Sequence, residues 1–263
     1  YNKGRWSLQA SFALTGGGGK CTFDNGLGSF EKIVAETAMA ACQLAGAVDQ
    51  VAAQHRVPAV FTNNDKFGKE GKYSYNSYMH GRQYYYGLSV GAAYKFSDNF
   101  SAFAGVRGVY ASTNYYGYVE DIKVGNMPLY KVLDPTKETA ANIELSCDQS
   151  GVGFTPIIGV DFKTGKWNFA AKYEFKTRIR LKNKSVNQAP SIGNLPDNLR
   201  NAYIAGGVPE QAADAILKNA TIQRAMGQLK TQFDTELEEA IGEYEDGKKI
   251  AGDIPAYLAL GVG

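Results

Sequence analysis

The first residues that invite a chemical interpretation are 16–22, which run Gly-Gly-Gly-Gly-Lys-Cys-Thr. A loop of this kind binds nucleotide phosphates when its pattern is complete, because backbone N–H groups and the lysine surround the phosphate oxygens. The complete pattern requires glycine where Leu14 stands and serine or threonine where Cys21 stands. Both requirements fail, so the run predicts a flexible strand exit and no phosphate site.

The sequence contains few residues suited to metal binding or to acid–base catalysis. The two histidines, His55 and His80, have no cysteine or carboxylate beside them at the spacing that metal ligands require. The sequence also contains no order of serine, histidine and aspartate, and no pair of acids, that points to a catalytic site. We therefore expect no metal, no cofactor and no enzymatic activity.

A set of cations forms the third candidate site. Its members are Arg107, Lys172, Lys176, Arg178 and Arg180. In one extended strand the even-numbered positions point to the same side, and Arg107 is expected to join them from a preceding strand. The set either wets the interior of a barrel and pairs with acids such as Glu174, or guides an anionic head group such as a fatty carboxylate. A carboxylate in a low-dielectric interior needs a cation or several hydrogen-bond donors.

The element that positions these cations is a strand predicted over residues 167–181. Its odd positions are mostly apolar and its even positions are mostly charged, which is the alternation of a strand with two different faces. The run is far longer than the usual strand of about 5–6 residues in globular proteins. Similar alternation marks further strands at residues 5–15, 82–96, 100–115, 151–162 and 254–262. Such lengths suit the about 9–11 residues with which a strand crosses a membrane.

The connections between these strands alternate between short and long. Short polar turns are predicted at 97–99 and 163–166, and long connections at 16–81, 116–150 and 182–253. Short turns at one end and long loops at the other are typical of outer-membrane barrels.

Helical patterns occupy two of the long connections. Residues 29–52 place an apolar stripe on one helical face with Ser29 as N-cap, and 208–218 predict a short helix that begins at Pro209. A longer helix follows, with its stripe from Ile222 to Ile241. Each stripe must bury against other residues. The stripes either pack on neighbouring loops or form a lid with an apolar groove.

Composition agrees with a membrane barrel. The 263 residues include 28 basic and 26 acidic side chains, a net charge of +2 that gives no indication of a nucleic-acid partner. No run of about 18 apolar residues predicts a membrane helix. The chain has 30 glycines and 17 tyrosines against 8 prolines, and tyrosine is the residue of the aromatic girdles of membrane barrels.

The three cysteines are all expected on the side of the long loops. Cys21 and Cys42 lie in one predicted loop, so a disulfide between them has the smallest loop-closure cost. The alternatives are a bridge from Cys147 to either of the others, or three thiols.

Four ordered segments resemble the FadL/TodX family of outer-membrane transporters for hydrophobic compounds. They are YGLSVGAAYKFSDNFSAFAGVR at 86–107, GFTPIIGVD at 153–161, WNFAAKYEFKTR at 167–178 and DIPAYLALGV at 253–262. The resemblance implies a fourteen-stranded barrel, an N-terminal plug, extracellular loops that collect ligands, and release of the ligand sideways through a gap in the wall. The chain has only about six predicted strands and no plug segment, so we expect it to be part of a longer protein.

Together these observations predict an all-β fold, namely one incomplete domain over 1–263 that forms a segment of an antiparallel transmembrane β-barrel. Helical insertions are expected at about 16–81 and 182–253, and the long loops are expected to be extracellular. The expected function is outer-membrane transport of hydrophobic small molecules such as long-chain fatty acids, by diffusion through a gated barrel. The alternative is a structural or docking subunit of an outer-membrane assembly. Expected partners are the hydrophobic ligand, outer-membrane lipids and lipopolysaccharide, and other outer-membrane proteins.

Overall fold

A computed structural model describes residues 1–59, 72–190, 192 and 194–263. Antiparallel β-sheet is the dominant element, which confirms the all-β part of the predicted fold. The strands are β1 (Asn2–Lys3), β2 (Trp6–Phe23), β3 (Tyr73–Lys95), β4 (Phe100–Val124), β5 (Met127–Pro128), β6 (Ile143–Thr164), β7 (Trp167–Glu174), β8 (Arg180–Gln188), β9 (Lys249–Ala251) and β10 (Tyr257–Val262).

The sheet follows the chain order β1-β2-β3-β4-β6-β7-β10, with each strand antiparallel to its neighbour. Beyond β7, the strand β8 continues the pairing with β6, and β9 pairs with β8. The turns at 97–99 and 165–166 therefore lie at one end of the sheet, here called the turn end. All three long connections lie at the opposite end, here called the helical end, as the alternation of turn lengths predicts.

The long strands extend further than their apolar alternation. β3 begins at Tyr73 and β4 ends at Val124, so the predicted boundaries 16–81 and 116–150 are too wide. The third insertion likewise begins after Gln188 and not at residue 182. Ladder hydrogen bonds join backbone groups whatever the side chains are. The added strand residues mix polar side chains and tyrosine with apolar residues such as Met79, Val119 and Leu145, so the apolar alternation did not predict them.

The glycine run 16–19 lies inside β2 and is not a strand exit. The register to β3 shifts between Leu14 and Gly16 and again before Gly19, which marks bulges. Gly17 has φ +100°, and a Cβ at that position would stand 2.1 Å from the carbonyl oxygen of Gln83. The prediction of a loop is therefore wrong here, because glycine provides the bulge conformation within a continuing ladder.

The insertions contain five α-helices in the described residues. They are α1 (Gly28–Gln54), α2 (Tyr130–Leu133), α3 (Leu195–Ala205), α4 (Glu210–Leu217) and α5 (Ala220–Ile241), followed by a 3₁₀ turn (Gly242–Tyr244). The predicted helices correspond to α1, α4 and α5, whereas α3 was not predicted. The predicted cap Ser29 is wrong, since Leu27 is the N-cap of α1 and has no side-chain bond there. Within the described residues, none of the helices is both long and apolar enough to span a membrane.

The helices from the separate insertions share one hydrophobic core. Val48 of α1, Leu195 of α3, Ile216 of α4 and Ile222 of α5 are all buried in it. The core also holds a polar contact, in which the buried Tyr203 hydroxyl donates to the carboxylate of Asp49 at 3.0 Å. The apolar stripes therefore pack on neighbouring loops, as the first of the two interpretations predicts.

The strand predicted over 167–181 is divided in two. β7 ends at Glu174 and β8 begins at Arg180, with only a bridge from Thr177 to Ile254 between them. This division determines where the predicted site residues lie.

Candidate functional site

One side of the sheet, here called the polar face, holds a cavity of about 540 Å³ near the turn end. Small residues such as Gly91, Ala93, Gly159 and Ala170 leave the space, and Phe103 adds an aromatic wall. Strand alternation explains the arrangement, since the apolar side chains of β3, β4, β6 and β7 point to the opposite side, the apolar face.

Arg107 and Glu174 form the charged centre of this cavity. Register places Arg107 of β4 opposite Ser89 of β3, and its Nε donates to the hydroxyl of Ser89 at 3.1 Å. Its Nη1 and Nη2 donate to the two carboxylate oxygens of Glu174 at 2.7 and 2.9 Å. Such a two-point contact satisfies the planar guanidinium and fixes both side chains. The two side chains are only 18% and 12% exposed.

Lys172 is the second cation of the cavity. Its ammonium lies 2.9 Å from the Glu174 carboxylate, yet the side chain is 47% exposed. An ammonium has three donors, so Lys172 keeps donors for a further partner, whereas Arg107 is engaged by Glu174 and Ser89. Asp161 also lines the cavity and accepts a hydrogen bond from Asn168 at 2.8 Å. The lining therefore contains two cations and two carboxylates, not the predicted row of cations.

The structure brings together only two of the five predicted site residues. Arg107 and Lys172 meet at Glu174, while Lys176 pairs with Asp253 at 2.9 Å. Arg180 precedes the buried Leu181 in β8 and therefore points to the other side of the sheet, and Arg178, between β7 and β8, is exposed. The prediction that all five cations share one face is therefore wrong.

The predicted cations are divided between the two faces because the alternation of side chains reverses between β7 and β8. Glu174 of β7 is on the polar face with Arg107. Ile179, just before β8, and Leu181 of β8 pack on Val109 of β4, which is on that same face. Even-numbered residues therefore point to the polar face in β7 and to the opposite face in β8. The reversal arises because the segment between these strands leaves the hydrogen-bonded ladder.

This connecting segment lies on top of β6 rather than beside it. A Cβ added to Gly151 would stand 2.6 Å from the carbonyl oxygen of Arg180, and one on Gly153 would stand 2.7 Å from that of Arg178. Only glycine has room under the segment at these two positions. The chain between β7 and β8 is thus displaced onto the polar face of the sheet.

On the side of β6 that faces β7 and β8, the ladder is interrupted at the displaced segment, whereas the pairing of β6 with β4 is continuous. β6 pairs with β7 from Ile157 onward and with β8 only up to Ser150. Between these points the N–H of Phe175 donates to the carbonyl of Pro156 at 3.0 Å. Pro156 itself has no N–H to contribute to the ladder. The buried hydroxyls of Thr155 and Thr177 contact each other across the interruption.

Above the displaced segment the polar face is filled. Ile179, Leu181, Val109 and Ala111 form a buried apolar cluster. Toward the helical end, a buried chain of hydrogen bonds follows. Thr113 donates to Gln149 at 2.9 Å, Gln149 donates to Asn183 at 3.0 Å, and Asn183 donates to the carbonyls of Glu243 and Glu245. These contacts join the sheet to the segment after α5.

The predicted disulfide between Cys21 and Cys42 does not form. Because β2 continues to Phe23, Cys21 stays in the ladder opposite Gly81, while Cys42 on α1 packs against the helical core. Cys147 is fully buried on β6 and forms no disulfide either. Among the described residues, no group of three or more histidine, cysteine or acidic side chains is placed to hold a metal ion.

No protein-family model, curated protein or solved structure matches this chain.

Sequence reasoning missed Asp253 and the two glycines under the displaced segment. Asp253 holds Lys176 and also accepts from the N–H of Ile179 at 2.9 Å. The available signal was the pair Gly151 and Gly153 on one face of a strand, next to Pro156, because glycine in a strand interior often marks close approach of another backbone.

Proposed function

We propose that this chain is part of an outer-membrane β-barrel that transports hydrophobic small molecules, with the interrupted ladder at 151–156 as the exit into the membrane. The observation that carries the proposal is the displacement of the segment between β7 and β8 onto Gly151 and Gly153. It removes strand pairing from the sheet wall next to the cavity that contains Arg107 and Lys172.

A membrane location is supported by the apolar face. Its large apolar side chains are exposed, among them Phe12 at 70%, Phe154 at 69% and Leu260 at 76%. Proteins in water rarely expose an apolar surface that continues over many strands. In a bilayer the same surface contacts hydrocarbon, which is favourable.

Two aromatic rows bound this surface at the spacing of a membrane. Near the turn end, the ring centroids of Phe96 and Phe100 are 5.7 Å apart. Toward the helical end, those of Tyr86 and Tyr110 are 6.5 Å apart. From Phe100 to Tyr110 the strand β4 runs 11 residues. A membrane-crossing strand needs about 9–11, so the rows fit the two girdles at the interfaces.

The cavity offers an amphipathic ligand both kinds of contact. Phe103 and the small residues around it suit an apolar chain, and the spare donors of Lys172 suit a carboxylate head group. Arg107 acts indirectly, since its bond to Glu174 fixes the carboxylate that orients Lys172. An apolar molecule that reaches this cavity lies beside the interrupted ladder, where no strand pairing separates it from lipid.

Uptake measurements test the proposal. The full-length protein is placed in phospholipid vesicles, and entry of a fluorescent long-chain fatty acid is followed over time. We expect entry above that of protein-free vesicles. Entry equal to that of protein-free vesicles overturns the proposal.

A second candidate function is a structural or docking subunit of an outer-membrane assembly. The observation in its favour is the fully buried cluster of Val109, Ile179 and Leu181, which fills the polar face above the cavity. A barrel whose interior is filled at this level suits a protein that does not transport a ligand through it. Absence of uptake, together with stable co-purification of other outer-membrane proteins, would favour this candidate.

A further inference from the structure

Beyond the upper aromatic row, the side of the sheet that continues the apolar face becomes cationic. Register aligns Lys20, Arg82, Asn114, Asp148 and Lys184 in one row across five neighbouring strands. One step closer to the aromatic row, Lys182 lies opposite Ser150. The inversion between β7 and β8 is what turns Lys182 and Lys184 to this side, because Leu181 and Asn183 take the inner positions.

These cations are available to a partner. Lys20, Arg82, Lys182 and Lys184 are all exposed, and none of them forms an ion pair with a carboxylate in the described parts of the chain. The single acid of the row, Asp148, accepts a hydrogen bond from Asn114 at 2.9 Å. Four cations against one acid leave a strong positive excess on this strip.

The strip begins at the height of the lipid head groups and extends outward beyond it. Tyr86 and Tyr110 pair in the last apolar row, and Arg82 and Asn114 pair four residues further along each strand. At about 3.4 Å per residue, the cationic row stands roughly 14 Å beyond the girdle along the strand. Lys182 lies two residues closer, so the strip extends through the zone where charged head groups begin.

We propose that the strip of Lys20, Arg82, Lys182 and Lys184 binds the phosphates of lipid A in the outer leaflet. The inference rests on the outer-membrane location proposed above. On the extracellular side of that membrane the head groups next to a barrel carry phosphates, and arginine and lysine are the side chains that bind them. Such binding anchors the wall beside the interrupted ladder, since Lys182 and Lys184 belong to the strand that follows it.

Lipid binding by purified protein tests the inference. Native mass spectrometry of the full-length protein in detergent measures binding of bisphosphorylated lipid A, of dephosphorylated lipid A and of inorganic phosphate. We expect the triple variant R82Q/K182Q/K184Q to bind bisphosphorylated lipid A roughly tenfold or more weakly than the unsubstituted protein. Dephosphorylated lipid A should bind both proteins equally weakly.

The control variant K163Q/K166Q removes two exposed lysines at the turn end of the same sheet, one at the end of β6 and one in the turn that follows it. It should bind lipid A as the unsubstituted protein does. The inference is overturned if the triple variant keeps full affinity, if the control loses as much, or if dephosphorylated lipid A binds as tightly. Competition by inorganic phosphate at equal concentration would assign the strip to free phosphate and overturn it as well.

Uptake into vesicles without lipid A separates this inference from the transport proposal. There the triple variant should transport fatty acid at the rate of the unsubstituted protein, because the strip lies outside the cavity. Lipid A binding without any uptake would contradict transport alone, and uptake without phosphate-dependent binding would contradict the strip alone.

Discussion

Ile179 lies against Gly153, and a Cβ added to that glycine would stand 2.7 Å from the Ile179 Cγ1 atom. The same Cβ would stand 2.7 Å from the carbonyl oxygen of Arg178 and 2.8 Å from Cγ2 of Thr177. The displaced segment therefore exists only because β6 has no side chain at this position. Ile179 in turn is fully buried on Val109, which holds the segment on the polar face.

The substitution Gly153→Ala should disrupt this packing. The new methyl group meets a backbone carbonyl that cannot rotate away, so we expect a loss of about 1–3 kcal/mol in the free energy of unfolding. Gly159→Ala is the matched control, because Gly159 is on the same face of β6 and its added Cβ would find its nearest atom at 3.4 Å. Denaturant unfolding in lipid vesicles measures both, and equal stability of the two variants contradicts the contact.

The sequence predicts the main strands of the sheet, but it does not predict that the alternation of side chains reverses between β7 and β8. Residues 167–181 have apolar side chains at every odd position except Thr177, so the local pattern predicts one unbroken strand. In the structure those odd residues face outward up to Phe175 and inward from Ile179. Apolar side chains occupy both positions, the exposed apolar face and the buried cluster on the polar face. The hydrophobicity of a residue therefore does not show which of the two it occupies.

Long-range contacts decide what the local pattern cannot. The segment leaves the ladder because it fits over Gly151 and Gly153, which precede it by more than 20 residues. The same holds for the cation site, since Arg107 and Glu174 meet across two strand pairings and are separated by 67 residues. The helical insertions were predictable as helices, yet their common core depends on contacts among three separate insertions.

A charged residue in the middle of the apolar face should be costly. Ile158 is 50% exposed and lies between the two aromatic rows, so Ile158→Arg should destabilise the protein in vesicles by about 2–4 kcal/mol. Val186 is also exposed, at 80%, but lies beyond the cationic row on β8. Val186→Arg should change stability by no more than about 0.5 kcal/mol. Small and equal effects at both positions would mean that this face does not contact lipid.

Removal of the carboxylate at Glu174 should destabilise the cavity. Glu174→Gln leaves the guanidinium of Arg107, which is 18% exposed, without its two-point partner. We expect a loss of about 1–3 kcal/mol in the free energy of unfolding. Lys172→Gln should cost less, since that side chain is 47% exposed. A double-mutant cycle with Arg107→Gln and Glu174→Gln measures the coupling, and a coupling energy of zero contradicts the pair.

Thiol reactivity should differ between two of the cysteines. Cys21 is exposed on β2 and Cys147 is fully buried on β6. A maleimide reagent should modify Cys21 in the folded protein and Cys147 only after unfolding, because reaction requires access to the sulfur. Peptide mapping of the labelled protein measures both, with Cys21→Ser as the control for the fast reaction. A disulfide-linked peptide that contains Cys21 would contradict the exposed thiol.

The contact between α1 and α5 should weaken as pH rises. Glu236 of α5 hydrogen-bonds to Glu36 of α1, which raises the pKa of Glu236 above the ordinary value of 4.5, with burial adding to the effect. Lys32 lies 3.8 Å from Glu236 and opposes the shift only in part. The folded state therefore binds a proton more tightly than the unfolded state. Its contribution to stability is complete below pH 4.5 and is lost as pH rises through the raised pKa.

Glu36→Gln should remove this pH dependence, because an amide can donate a hydrogen bond to the ionised Glu236 carboxylate. Thermal unfolding from pH 4 to pH 8 should show the unsubstituted protein losing stability relative to this variant as pH rises. Glu138→Gln, which removes an exposed carboxylate outside α1 and α5, should follow the unsubstituted protein across the range. Parallel curves for the unsubstituted protein and Glu36→Gln would mean that the two carboxylates do not share a proton.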